Sequence, residues 1–294
     1  MATVCPACTK PVGLAVRGQP GCYDYARCAS CGLRFIVDSC AVIDHSVLQV
    51  EDEYIQSYSG TLAAVVTRRV NLVARFVPAG GRVLDYGAGY GFIADALRSR
   101  YAVDVTEKSQ GALARLRDLG FTTYSSVDAL PAHAFDAVTA WHVLEHVSDP
   151  FVVLESLREA LRPGGSLIIA VPNAGGLFAR LGFEQWVWTT PWHLSYFTPC
   201  SLRTIIERAR FTCAEVTTDV GDPRALAFWL AGILGMAKPR LRISAAGVSS
   251  APSPQARSRS RALNASLPLS LALQRLASQY FLGDELCIVA RARN

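Results

Sequence analysis

The 294 residues are enough for about two domains at roughly 150 residues each, and 51% hydrophobic against 18% charged residues exclude a disordered or fibrous chain. No apolar run reaches the roughly 18–20 residues needed to cross a bilayer, and the opening Met1-Ala-Thr-Val-Cys-Pro-Ala-Cys8 lacks the basic-then-apolar pattern of a secretory signal. The expectation is a cytoplasmic protein, soluble or peripheral to a membrane. The net charge of +5 is local: residues 223–283 hold eight cations, from Arg224 to Arg275, and no Asp or Glu, which leaves the rest of the chain at −3. A genome-wide nucleic-acid binder is therefore not the first reading.

Six of the nine cysteines (Cys5, Cys8, Cys22, Cys28, Cys31 and Cys40) fall in the first 40 residues. Cys5-Pro-Ala-Cys8 and Cys28-Ala-Ser-Cys31 make a C-x2-C pair repeated after 19 residues. Two thiolates at that spacing share one tight turn, and two such turns complete a tetrahedral four-thiolate site that suits Zn2+. Gly32 follows the second pair, where the absence of a Cβ lets backbone N–H groups approach the sulfurs. A segment this short buries no core of its own, so the metal would supply folding energy, and four thiolates leave no open position for catalysis. Cys22 and Cys40 could each substitute for a ligand. The pattern resembles zinc ribbons.

From about residue 65 short apolar runs alternate with helical patterns, as in βα units of a parallel sheet. The expected elements, in order, are a strand over 83–86, a helix over 92–100, strands over 103–107, 121–125 and 135–141, and a helix over 150–162. A strand over 166–172, a helix over 201–210 and strands over 212–220 and 285–291 complete the series. Between the first strand and its helix stands Asp85-Tyr-Gly87-Ala88-Gly89-Tyr-Gly91. Phe92 occupies the place of the last glycine of a dinucleotide fingerprint, which disfavours NAD(P). What remains is a turn that lets backbone approach a ligand, with Glu107 at the end of the next strand to grip a ribose diol.

These residues resemble the first motif of class I S-adenosylmethionine (SAM)-dependent methyltransferases. Phe135 to Pro150, Leu161 to Asn173 and Trp192-His-Leu-Ser-Tyr-Phe-Thr198 resemble later motifs of the same superfamily, in the same order. The resemblance implies an α/β, Rossmann-like seven-stranded sheet whose last strand runs antiparallel. The implied organisation is a zinc ribbon over 1–45, a SAM-binding core over 46–222, a helical insertion over 223–282 and a final core strand over 283–294. By position, Asp85 would hold the glycine loop, Gly87, Ala88 and Gly89 would line the methionine side and Glu107 would take the ribose hydroxyls. Val127 or Asp128 would border the adenine, Trp141 and His142 would close over the donor, and Tyr54 and Tyr58 would fold across it.

Methyl transfer needs alignment of donor and acceptor and removal of one proton from the nucleophile. Histidine suits that role near pH 7. His146 and His193 both follow strand ends and are the candidates for the acceptor pocket, with His142 as a third; Glu145 could orient one of them or sit on an exposed face. The ribbon joined to this core resembles in part the sugar C-methyltransferases, except that Trp192 stands where that family has Glu and its large carboxy-terminal domain is missing. O-methylation of a sugar or secondary-metabolite hydroxyl is the first expectation. An RNA methyltransferase using the ribbon and the arginine segment, and a donor-binding scaffold without turnover, remain open. In the insertion, an apolar run over 225–237, a Ser/Pro/Arg-rich run over 249–261 and a second apolar helix over 267–282 form either a helical cap or a surface resting on anionic membrane, which would favour a lipid-linked acceptor.

Overall fold

The computed structural model describes residues 3–13, 16–17, 23–39, 62–190, 192–220, 243–244, 247–248, 268–269 and 271–293. Tyr54, Tyr58, Cys22, Cys40, the apolar run over 225–237 and the Ser/Pro/Arg-rich run lie outside the described residues.

The amino-terminal strands are β1 (Val16–Arg17), β2 (Tyr23–Arg27) and β3 (Arg34–Ser39). Helix α1 (Leu62–Phe76) leads into β4 (Arg82–Tyr86), α2 (Phe92–Leu97), β5 (Ala102–Thr106), α3 (Gln110–Asp118), β6 (Thr122–Tyr124) and β7 (Phe135–Trp141). Then come α4 (Pro150–Ala160), β8 (Leu161–Pro172), α5 (Leu177–Leu181), β9 (Ser195–Tyr196), α6 (Pro199–Arg208) and β10 (Phe211–Asp219). A two-residue hairpin of β11 (Ile243–Ser244) and β12 (Gly247–Val248), a helix α7 over 271–278, and β13 (Glu285–Ala292) complete the order.

Seven strands form one sheet in the order β10-β13-β8-β7-β4-β5-β6, with β13 antiparallel to both neighbours and β4 to β8 parallel. This is the sheet that the resemblance implies. Every expected core strand and helix is present, with ends displaced by a few residues, and β8 begins at Leu161, which pairs with Phe135, while the Pro163-Gly164-Gly165 stop falls in the unpaired stretch before Ser166.

The helices form where the sequence caps them. Asp149 accepts from the amides of Phe151 and Val152 ahead of α4, with Pro150 at the first helical position. Thr198 and Ser201 make a reciprocal capping box at α6. Helix α4 then buries Val153, Leu154, Leu157 and Ala160 on one stripe, each large aliphatic side chain contributing about 1.5–3 kcal/mol.

Side chains alternate across the sheet and create two cores. Val73 and Val77, in and just after α1, pack against Val83, Ala137, Trp141 and Ile168 on one face. The other face gathers Leu84, Val138, Ala140, Leu154, Leu157, Leu202 and Ile206, and with them Ala26, Leu33, Phe35 and three cysteines of the amino-terminal segment. That segment therefore has no separate core: it closes the main one.

Candidate active site

The strand β4 turns into α2 through three left-handed glycines. Gly87 has φ +72°, and a Cβ there would meet Val143 Cγ2 at 2.6 Å; Gly91 has φ +81°, and a Cβ would meet Leu116 Cδ2 at 2.7 Å. Neither position accepts a side chain. The turn is pinned from β5: Gly87 and Ala88 donate to the Thr106 carbonyl at 3.0 and 2.9 Å, Gly87 also donates to Thr106 Oγ1, and Gly89 donates to Glu107 Oε2 at 2.8 Å. Glu107 Oε1 accepts from the amides of Lys108 and Ser109.

A cavity of about 550 Å³ opens beside this turn, at the carboxyl ends of β4, β5 and β7. It brings together six residues expected at the site, Gly87, Glu107, Val127, Asp128, His142 and His146, and adds Tyr86, Thr106 and Asp149. Ala88 and Gly89 continue the turn just outside its wall.

Asp85 and Trp141 are corrections. Both sit on the α1 face of the sheet, because strand alternation sends odd-numbered residues of β4 and β7 there. Asp85 is fully buried and accepts from Thr139 Oγ1 at 2.7 Å; it does not hold the glycine loop, which Thr106 and Glu107 hold instead. Burial pushes the Asp85 carboxyl up to about 6, against the opposing pull of Thr139. Trp141 packs on α1 beneath the Arg69 guanidinium, 4.9 Å from its ring centroid, and so does not close over the donor side. It lines a second, larger cavity of about 760 Å³ with Arg68, Arg69 and Glu285, which contains no residue of the glycine turn.

Of the expected histidines, His142 and His146 line the cavity, whereas His193, with Glu145, is buried behind them and does not line it. His142 follows β7 with φ +56°, a conformation uncommon for any residue with a Cβ. Its Nε2 donates to Glu285 Oε2 at 2.7 Å, its Nδ1 lies 3.3 Å from Glu145 Oε1 without hydrogen-bond alignment, and its ring stacks on Trp188 at 5.2 Å. Burial opposes charging this imidazole, but Glu145 and Glu285 outweigh it and hold it up at about 9. Glu285 also receives Arg68 and Arg69, at 3.3 and 3.1 Å.

Glu145 is 1% exposed, which removes the reading of it on an exposed face, and neither of its oxygens has a hydrogen-bond partner. Burial alone would raise its carboxyl; the neighbouring His142, with His146 and His193 behind it, pulls it below the ordinary value instead. His146 Nδ1–H donates to the Trp192 carbonyl at 2.9 Å, which in the neutral ring places the lone pair on Nε2. The His193 ring meets it edge-on at 4.7 Å. His193 is 5% exposed with Nδ1 unpartnered, and burial drives it down to about 3, so it stays neutral. One ligand atom from each of Glu145, His146 and His193 lies within 4.8 Å of the others, a spacing that a metal ion would also accept.

The four expected thiol ligands converge as well. Cys5, Cys8, Cys28 and Cys31 have all sulfurs within 4.8 Å of one another, with Cys5–Cys31 at 3.6 Å and Cys8–Cys28 at 3.5 Å. Tetrahedral ligation at about 2.3 Å would place sulfurs about 3.8 Å apart, so the set fits Zn2+. The contact with Cys31 pulls the Cys5 thiol down to about 5 and pushes that of Cys31 up.

A methyltransferase-domain family matches residues 58–216, more than half of the chain. The chain belongs to the SAM-dependent class I methyltransferases. The ubiquinone biosynthesis O-methyltransferase of Xanthomonas axonopodis pv. citri is 34% identical over 112 residues, 34% of this chain and 46% of that protein. That of Psychrobacter arcticus is 31% identical over 173 residues, 52% of this chain and 67% of that protein. This methyltransferase thus spans about half to two thirds of the length of those curated relatives. A SAM-dependent methyltransferase from Archaeoglobus fulgidus superposes with a TM-score of 0.53 at 17% identity, covering 81% of this chain and 98% of that one, a likeness of fold. No helix among the described residues is long and apolar enough to cross a membrane.

Sequence reasoning missed Thr106, Thr139, Trp188 and Glu285. Thr106 carried a signal, being the β5 residue just before Glu107. Glu285 had none, since its partner His142 is 143 residues away.

Proposed function

We propose that this methyltransferase moves the methyl group of SAM to a hydroxyl of a small-molecule acceptor, a sugar or another secondary metabolite, with His146 as the base. The observation that carries the reading is a single cavity lined by His146 together with Gly87 and Glu107. The O-methyltransferase names of the relatives support it. The chain's residues fit the donor: the left-handed turn lets backbone come close where any Cβ would clash, and the carboxylate of Glu107 lies in the same wall to receive ribose hydroxyls. Val127 and Asp128 lie beside them for the adenine. When bound, the donor supplies an activated methyl carbon and a thioether leaving group.

The chain's own part would be to align the acceptor oxygen with that carbon and to take the acceptor's proton onto His146 Nε2. The Trp192 carbonyl holds the tautomer that can receive it. Buried neutral His193 is a poor base and instead supports the His146 ring, while the Glu145 carboxylate stabilises positive charge arriving on His146. Cys5, Cys8, Cys28 and Cys31 would hold a structural Zn2+.

The test is transfer of a labelled methyl group from SAM into a cell extract, separated into RNA, lipid and small-molecule fractions. Label in small molecules or lipid, stable to mild acid and base as an ether is, is the expected result. Label in nuclease-sensitive RNA would overturn the substrate class.

A further inference from the structure

The thiolate knot and the loop that carries His193 are parts of one backbone construction. Strand β3 starts three residues after Cys31 and pairs antiparallel with β9, Arg34 opposite Tyr196 and Phe35 opposite Ser195. Ile36 N donates to the Leu194 carbonyl at 3.0 Å, and Leu194 N donates to the Glu145 carbonyl at 2.7 Å. The knot is tied a second time from α6: Thr198 Oγ1 donates to the Cys31 carbonyl at 3.0 Å, and Arg208 Nη1 donates to the carbonyls of Pro6 and Ala7, inside the first C-x2-C turn, at 2.6 and 2.7 Å. Side chains follow the same route, with Arg34 3.9 Å over the Phe183 ring, Phe183 against Tyr196 and Tyr196 against His193.

Strand β9 is two residues long, and β3 is its only strand partner among the described residues. A two-residue strand has no stability alone. The donor wall differs: among the described residues, the hydrogen bonds that hold Gly87, Gly89 and Glu107 come from β5, the turn after it and Tyr124 of β6, and none comes from the thiolate segment.

We propose that the four-thiolate metal is a positioning device for the acceptor side of the cavity, acting through the β3–β9 pairing to place His193 against His146. The donor side stands without it. The inference rests on the reading of His146 and His193 as acceptor-side groups.

The experiment uses the full chain with and without its metal. Zinc is released with an organomercurial and counted with a chromophoric indicator, S-adenosylhomocysteine affinity is measured by calorimetry, and amide hydrogen exchange is followed by mass spectrometry. Release should lower protection of peptides over 192–198 by at least about tenfold, leave peptides over 82–109 unchanged and change the affinity by less than about threefold. Unchanged protection over 192–198 would overturn the proposal, and so would loss throughout the chain, which would make the metal a general staple of the fold. Because metal-free protein can unfold, Thr198→Val offers a second route that keeps every thiolate. It should raise exchange over 192–198 and speed zinc loss to a chelator, with Thr198→Ser restoring both; wild-type behaviour of the Val variant would count against the proposal. Full turnover by His146→Ala would remove the base reading and leave these exchange results standing.

Discussion

The two walls of the cavity are made in opposite ways. The donor wall is backbone: amides of a glycine turn meet a threonine carbonyl and a carboxylate, and every contact is local to two adjacent parallel strands. The other wall is side chain: His142 and His146 line it, backed by buried Glu145 and His193, and the group is held by Glu285 and the thiolate segment and retains buried polar atoms without partners. A backbone wall suits a ligand shared by a whole family. A side-chain wall is where a fold varies its acceptor, and on the proposed reading the proton transfer takes place there.

The largest expected break of this contrast is Gly87→Ala. Its Cβ enters Val143 at 2.6 Å in a left-handed conformation, so donor affinity should fall by about a hundredfold or more, with the fold retained by circular dichroism. Calorimetric titration with S-adenosylhomocysteine checks this, and affinity within threefold of wild type would show that the turn does not touch the donor.

A smaller effect is expected from Glu145→Gln. It removes one of the two carboxylates that flank His142, so the imidazole should titrate below its present value of about 9, as read by histidine NMR. Because the folded value is raised above about 6.5, His142 contributes stability that is complete below that pH and lost as pH rises through about 9. The variant should lose this contribution at lower pH, and an unchanged titration would place the charge of His142 on Glu285 alone.

The smallest effect concerns His193. Its folded value is depressed to about 3 from 6.5, so its contribution is present above about 6.5 and is lost as pH falls toward 3. Melting temperature should therefore decline on the acid side in the wild type and decline less in His193→Gln. Parallel acid profiles would mean that the ring is hydrated in solution.

How much of this was readable in the sequence follows the same division. The C-x2-C repeat, the glycine turn and the succession of strands and helices are local patterns, and the seven-stranded sheet is the one that the resemblance implies. Which face a strand residue takes depends on a single step of parity, and Trp141 and Asp85 fell on the α1 side for that reason. Strand β9 is too short to leave a periodic signal, yet it decides where His193 sits. Glu285 and the thiolate segment reach the site across long sequence separations that no window reports. The close Gly87–Val143 contact is likewise invisible until β4 and the turn after β7 are adjacent.

The role of His146 is decided by two quantities measured on one variant, His146→Ala: S-adenosylhomocysteine affinity by calorimetry, and labelled methyl transfer into the small-molecule fraction. Affinity should stay within about twofold of wild type while transfer falls by about a hundredfold or more, since a positioned base contributes about 10²–10⁴ in rate. Transfer at the wild-type rate, or loss of donor affinity in step with transfer, would contradict that role.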